Sequence, residues 1–229
     1  VASAPSAPFS PKRAKTYFFA LVLALSSSLG GIFMRYYLDG TLHSLEDLEV
    51  FIHRPSIGQI PLVKVDKEGF TPLFPKEEDY LRFNNNMNFI CANIRFLPET
   101  EASRVFLITS AVMGEGKSFS VYHLAQAFAM DSKKVIAIDA DFCHASLSEV
   151  FSHAMTGPSL DGYLLDQVPI DQIIQKTTNP NIDLIGAGKM RKSAPNAFRS
   201  KQMRVLLATL RQRYDVVLID GPPVLQVND

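Results

Sequence analysis

The sequence predicts an α/β fold: a mostly parallel sheet flanked by helices and preceded by one membrane-spanning helix. Three observations carry this expectation. Apolar, strand-like runs alternate with helical patterns from Arg104 onward; Gly116-Lys117-Ser118 sits at a strand-to-helix junction; and residues 16–34 contain no charge. The 229 residues hold one ordinary domain plus an appendage. Apolar residues make up 47% and charged residues 20%, a balance that builds a core and argues against global disorder. Lysine plus arginine equals aspartate plus glutamate at 23 each, which excludes a nucleic-acid binder relying on bulk positive charge. Cys91 and Cys143 are too few for a disulfide framework and fit a reducing compartment.

The uncharged stretch runs TYFFALVLALSSSLGGIFM. At ~1.5 Å per residue it gives roughly 28 Å of helix, close to a ~30 Å hydrocarbon core. Tyr17, Tyr36 and Tyr37 lie near its ends, where amphipathic rings favour the interface. Gly30, Gly31 and the serine run permit close helix packing, which suits an oligomer. A signal peptide and a buried core helix compete with this reading; the length of the stretch and the proline-rich leader before it favour a span. Lys12, Arg13 and Lys15 precede the helix and Arg35 alone lies close behind it, so charge alone would put the N-terminus in the cytoplasm. The nucleotide motifs downstream need cytoplasmic ATP and reverse that orientation.

In the connector that follows, Ser44 and Asp47 resemble a capping box opening a short helix, with Leu45, Leu48 and Ile52 on one face. Pro55, Pro61, Pro72 and Pro75 prevent long regular structure, and residues 77–96 read as a second helix weakened by the asparagines at 84–86. Strands are expected at 105–109, 134–139, 182–185 and 215–219, and helices at 117–130 and 198–213.

The strongest motif is VFLITSAVMGEGKS, residues 105–118, which has the strand–loop–helix setting of a P-loop. Glycines let the backbone approach phosphate oxygens, and amides at the loop and helix N-terminus converge on them. Gly114, Glu115, Gly116, Lys117, Ser118 and Phe119 are the candidate nucleotide-binding residues. Lys117 would reach the β- and γ-phosphates and Ser118 would bind Mg²⁺. Ala111 stands where the standard pattern has its first glycine. Asp139 and Asp141 follow one apolar strand and Asp220 another, positions where a metal and an attacking group are managed. Any one alone would be a solvated capping aspartate. Gly221-Pro222-Pro223 is expected to turn the chain sharply away after Asp220.

These residues resemble the bacterial tyrosine kinases fused to Wzz-type polysaccharide chain-length co-polymerases, a P-loop NTPase-type fold. SAVMGEGKS resembles their Walker A motif, VIAIDADF their Walker A′ and VVLIDGPPV their Walker B. The resemblance implies ATP and Mg²⁺ as cofactors. It makes Lys117, Asp139, Asp141 and Asp220 catalytic and puts Ser118, Asp139 and Asp220 at the metal. It also implies a homo-oligomer in the bacterial inner membrane that works with polysaccharide polymerase and export machinery, its C-terminal domain cytoplasmic. On that basis residues 1–15 are a proline-rich periplasmic end, 16–34 the transmembrane helix, 35–103 a juxtamembrane connector and helix, and 104–229 an ATP-binding kinase-like domain, incomplete at its C-terminus. Departures are visible. Phe142-Cys143-His144-Ala145 replaces the family's arginines and proline, and Asn85, Asn88 and Cys91 occupy the places of a glutamate and two arginines. A catalytically degenerate ATP-binding regulator is therefore the alternative. A ParA/MinD-type ATPase ranks lower, because Val112 stands where those enzymes carry an extra lysine.

Overall fold

The computed structural model describes residues 13–38, 49, 53, 56–67, 69–96, 104–142, 144–151, 157–188 and 198–226. The capping-box helix expected at Ser44 lies outside them. The chain divides into two compact units, residues 1–56 and 57–229.

In the first unit, helix α1 spans Arg13–Leu38, longer at both ends than the uncharged stretch. Arginine, lysine and tyrosine tolerate helical backbone, so charge marks the apolar limits without ending the helix. Its 26 residues extend ~39 Å and none is buried against protein. The Ser26 hydroxyl donates to the Leu23 carbonyl at 3.0 Å, so this polar side chain is satisfied inside the helix, as an apolar surrounding requires.

The second unit opens with a small antiparallel ribbon, β1 (Lys64–Val65) and β2 (Pro72–Leu73). Helix α2 follows at Glu77–Arg95, with Phe96 as its C-cap. Three acids in its first turn complement the helix dipole. Phe83, Met87, Ile90, Cys91 and Ile94 form the buried face. The asparagines at 84–86 are helical throughout: packing of Phe83 and Met87 on either side overrides their weak propensity.

Among the described residues the main sheet has five strands in the order β3-β7-β4-β6-β5. These are β3 (Arg104–Ile108), β4 (Val135–Asp139), β5 (Gln175–Lys176), β6 (Ile182–Ile185) and β7 (Val216–Asp220). The four strands expected from the sequence are all parallel, with ends shifted by one residue at most. The fifth was not anticipated: β5 is two polar residues long and pairs antiparallel with β6. Helix α3 occupies Lys117–Met130 as expected, and α7 occupies Lys201–Arg213, shorter than expected. It starts there because Ser200 caps it, its hydroxyl accepting from Met203 N at 3.1 Å. Three short helices, α4 (Ser146–Phe151), α5 (Leu160–Leu164) and α6 (Ile170–Ile173), fill the crossovers.

Alternation along the strands builds two apolar layers. Val135, Ala137, Ile182, Leu184, Val216 and Leu218 pack with α2 and α3 on one face of the sheet. Ile136, Ile138, Ile185, Val217 and Ile219 pack with α5, α6 and α7 on the other. Parallel register brings the C-terminal ends of β3, β7 and β4 together: Ile108 pairs with Asp220, and Asp220 with Asp139.

Candidate nucleotide-binding site

At this common edge the chain leaves β3, forms a loop and enters α3. Gly114 and Gly116 have φ of 80° and 87°, the left-handed region that favours glycine. A Cβ at either would meet nothing within 4 Å, so the requirement is conformational and the cradle is open. Gly116 is also the N-cap of α3 and offers no side chain to it. The first-turn amides therefore keep the unmatched N–H groups and the partial positive charge that bind phosphate.

The front half of the loop is tied down differently. The Glu115 carboxylate accepts from Ala111 N at 2.9 Å and Val112 N at 3.3 Å, and the Ser110 hydroxyl donates to Val112 O at 2.7 Å. Val224 N and Leu225 N donate to the carbonyls of Ser110 and Ala111 at 2.9 and 3.2 Å. The expected sharp departure of the chain after Asp220 is thus corrected. Gly221 N bonds Ile108 O at 2.9 Å, the Thr109 hydroxyl bonds Pro222 O at 2.8 Å, and a 3₁₀ turn at Val224–Gln226 follows beside the loop. A Cβ at Gly221 would stand 3.3 Å from Ile108 O, so this close approach suits glycine.

Asp139 and Asp220 are fully buried, and Asp141 is nearly so. Asp139 is saturated by the protein. One oxygen accepts from Asp141 N at 3.2 Å; the other accepts from the Ser148 amide at 2.9 Å and its hydroxyl at 2.6 Å. Burial pushes its pKa up to about 7, the two Ser148 hydrogen bonds pull it down, and Asp220 raises it again. Neither oxygen of Asp220 has a hydrogen-bond partner. Burial pushes Asp220 up to about 6; the neighbouring Ser118 hydroxyl and the Lys117 charge lower it, and Asp141 raises it. Asp141 accepts from His144 N at 3.0 Å.

The structure therefore gathers Lys117, Ser118, Asp139, Asp141 and Asp220 at one end of the sheet. Phe119 turns its ring toward Phe83 and His123, leaving only its backbone for a ligand. Sequence reasoning missed Ser148, whose hydroxyl joins Asp139 to Ala187 N at 3.4 Å; nothing in its local pattern marks it. Among the described residues no three His, Cys, Asp or Glu side chains form a metal cluster. Mg²⁺ does not need one, since it takes one or two carboxylates together with substrate phosphates and water. A buried carboxylate without donors beside Ser118 and Lys117 fits that group, and the open glycine cradle fits its phosphates.

A family model described as an AAA domain matches residues 103–228. The chain belongs to this family. Within the AAA domain the expected bacterial tyrosine-kinase relationship holds. Tyrosine-protein kinase Etk of Escherichia coli is 27% identical over 97% of the chain, and tyrosine-protein kinase YwqD of Bacillus subtilis is 33% identical over 61% of it. The tyrosine kinase domain of BceF superposes with a TM-score of 0.65 at 26% identity, covering 80% of this chain and 78% of that one. The kinase domain of Etk superposes with a TM-score of 0.70 over 82% of this chain and 76% of that one; at 23% identity it speaks for the fold alone. The α/β, P-loop NTPase-type reading of the sequence is thereby borne out. The chain spans 33% of the length of Etk and 59% of YwqD.

Proposed function

We propose that this chain is the ATP-binding, tyrosine-phosphorylating part of a membrane-anchored protein that regulates the chain length and export of an exopolysaccharide or capsule. The observation that carries the ATP site is Asp220, a fully buried carboxylate with no hydrogen-bond donor, set between the P-loop residues and Asp139. Relatives named tyrosine-protein kinases supply the reaction class. In this reading the amides from Gly114 to Phe119 cradle the phosphates, and Lys117 neutralises the β- and γ-oxygens. Ser118 and Asp220 hold Mg²⁺, with Asp139 beside them; bound there, the metal would neutralise charge that builds on the transferring phosphoryl group. Asp141 lies close enough to influence Asp220 and assists transfer to the tyrosine hydroxyl. Helix α1, uncharged over residues 16–34 and unburied, anchors the protein in the bacterial inner membrane with the AAA domain in the cytoplasm. Copies of the chain assemble as a homo-oligomer and act on the polysaccharide polymerase and export machinery.

The test is binding of a non-hydrolysable ATP analogue by the full chain in detergent micelles, with and without Mg²⁺, beside Lys117→Ala. Metal-dependent binding lost in the variant supports the reading; equal binding by both proteins sinks it. Phosphotyrosine formation from ATP then separates the kinase from a second reading, ATP binding without phosphoryl transfer. That second reading is favoured by Asn85 and Asn88, exposed on α2 where the resembling kinases carry charge, and by Cys91, which turns into the core.

A further inference from the structure

We infer that the Glu115 carboxylate positions the P-loop and does not itself touch the nucleotide, whereas its backbone amide stays with the cradle; the inference rests on the ATP-site reading above. Its carboxylate bonds the amides of Ala111 and Val112, folding back over the front of its own loop. The carbonyls of Ser110 and Ala111 are held from behind by Val224 and Leu225 N–H groups, and Ser110 Oγ holds Val112 O. Ala111 and Val112 thus spend both amide and carbonyl on the protein, and Ser110 its carbonyl and hydroxyl. The amides left for phosphate are those after the brace, around left-handed Gly114 and Gly116 and the uncapped start of α3. A glycine at the position of Ala111 would have to be ordered at entropic cost on binding; the brace orders this segment in advance.

Two effects of Glu115 on an incoming polyphosphate oppose each other. As a negative charge it repels the ligand, and removing it would tighten binding. As an acceptor for two loop amides it pre-organises the cradle, and removing it would loosen binding. The geometry puts the second in command, because the carboxylate is engaged with donors on the far side of Gly114.

The experiment compares full-length wild type, Glu115→Ala and Glu115→Gln in micelles by two measurements. The first is affinity for the non-hydrolysable ATP analogue with Mg²⁺. The second is amide hydrogen exchange of the peptide covering residues 109–116 without nucleotide. Glu115→Ala is expected to weaken binding by about 5-fold and to speed exchange by about 10-fold, whereas Glu115→Gln, which keeps an acceptor oxygen, changes each by about 2-fold or less. Tighter or unchanged binding by Glu115→Ala with unchanged exchange overturns the inference. If wild type fails to bind the analogue at all, the ATP-site reading has failed; exchange of this peptide in the nucleotide-free proteins still decides whether the brace exists.

Discussion

Asp139 and Asp220 end adjacent parallel strands in direct register, and their carboxylates are treated in opposite ways: Asp139 accepts three hydrogen bonds, Asp220 none. An ionised carboxylate buried without donors is costly, and such groups persist where a ligand repays them.

Asp220→Asn should therefore stabilise the nucleotide-free protein. Because the folded pKa of about 6 lies above the ordinary 3.8, ionisation opposes folding. That penalty is absent near pH 4, grows as pH rises through 6 and is constant above it, on the order of 3 kcal/mol. Denaturant unfolding at pH 4 and pH 8 without divalent cations should show the variant's advantage at pH 8 alone. The same variant should lose Mg²⁺-dependent nucleotide binding.

Ser148→Ala removes the hydroxyl that donates to Asp139 Oδ2 and accepts from Ala187 N. The loss should cost about 1–3 kcal/mol and raise the Asp139 pKa further, since this hydrogen bond is what lowers it most. Ser148→Thr keeps the hydroxyl and should recover most of the stability in the same unfolding assay.

His123 on α3 sits among Phe83, Phe119 and Tyr122, with Nε2 3.0 Å from the carbonyl of Phe70. Burial lowers its pKa, and the Phe70 carbonyl partly opposes this. The unfolded chain then binds the proton more readily, so this contribution to stability is present above pH 6.5 and is lost as pH falls below it. The melting temperature of the wild type should drop more steeply from pH 7.5 to 5.5 than that of His123→Phe.

Gly188, three residues past the end of β6, has φ of 86°, and a Cβ there would overlap the Asp161 carboxylate. That carboxylate takes the Ser159 hydroxyl at 2.6 Å and Gly162 N at 2.8 Å, so it cannot retreat without losing both. Gly188→Ala should cost more than about 2 kcal/mol, whereas Gly30→Ala, with open space around it, should leave the thermal unfolding of the 57–229 unit unchanged.

Four strands and α3 were legible because each is a continuous apolar run or a clear helical stripe, and the phosphate loop because glycines, lysine and serine fall between them. β5 was not: Gln175 and Lys176 carry no apolar signal, and their pairing is dictated by β6. The helix expected at 77–96 is present despite its asparagines at 84–86, whose weak propensity is outweighed by burial of their neighbours. The path after Asp220 and the role of Ser148 rest on hydrogen bonds between residues far apart in the chain, Thr109 with Pro222 for one, and periodicity holds no record of such pairs.

β3, the strand that feeds the phosphate loop, also bounds the sheet among the described residues. Its outward row of peptide groups is a template for strand addition, and Leu107, 62% exposed, offers an apolar contact beside it. An extended segment of matching apolar pattern should accordingly be able to pair with β3 through its backbone, a pairing that added salt would not weaken and that a charge at Leu107 would.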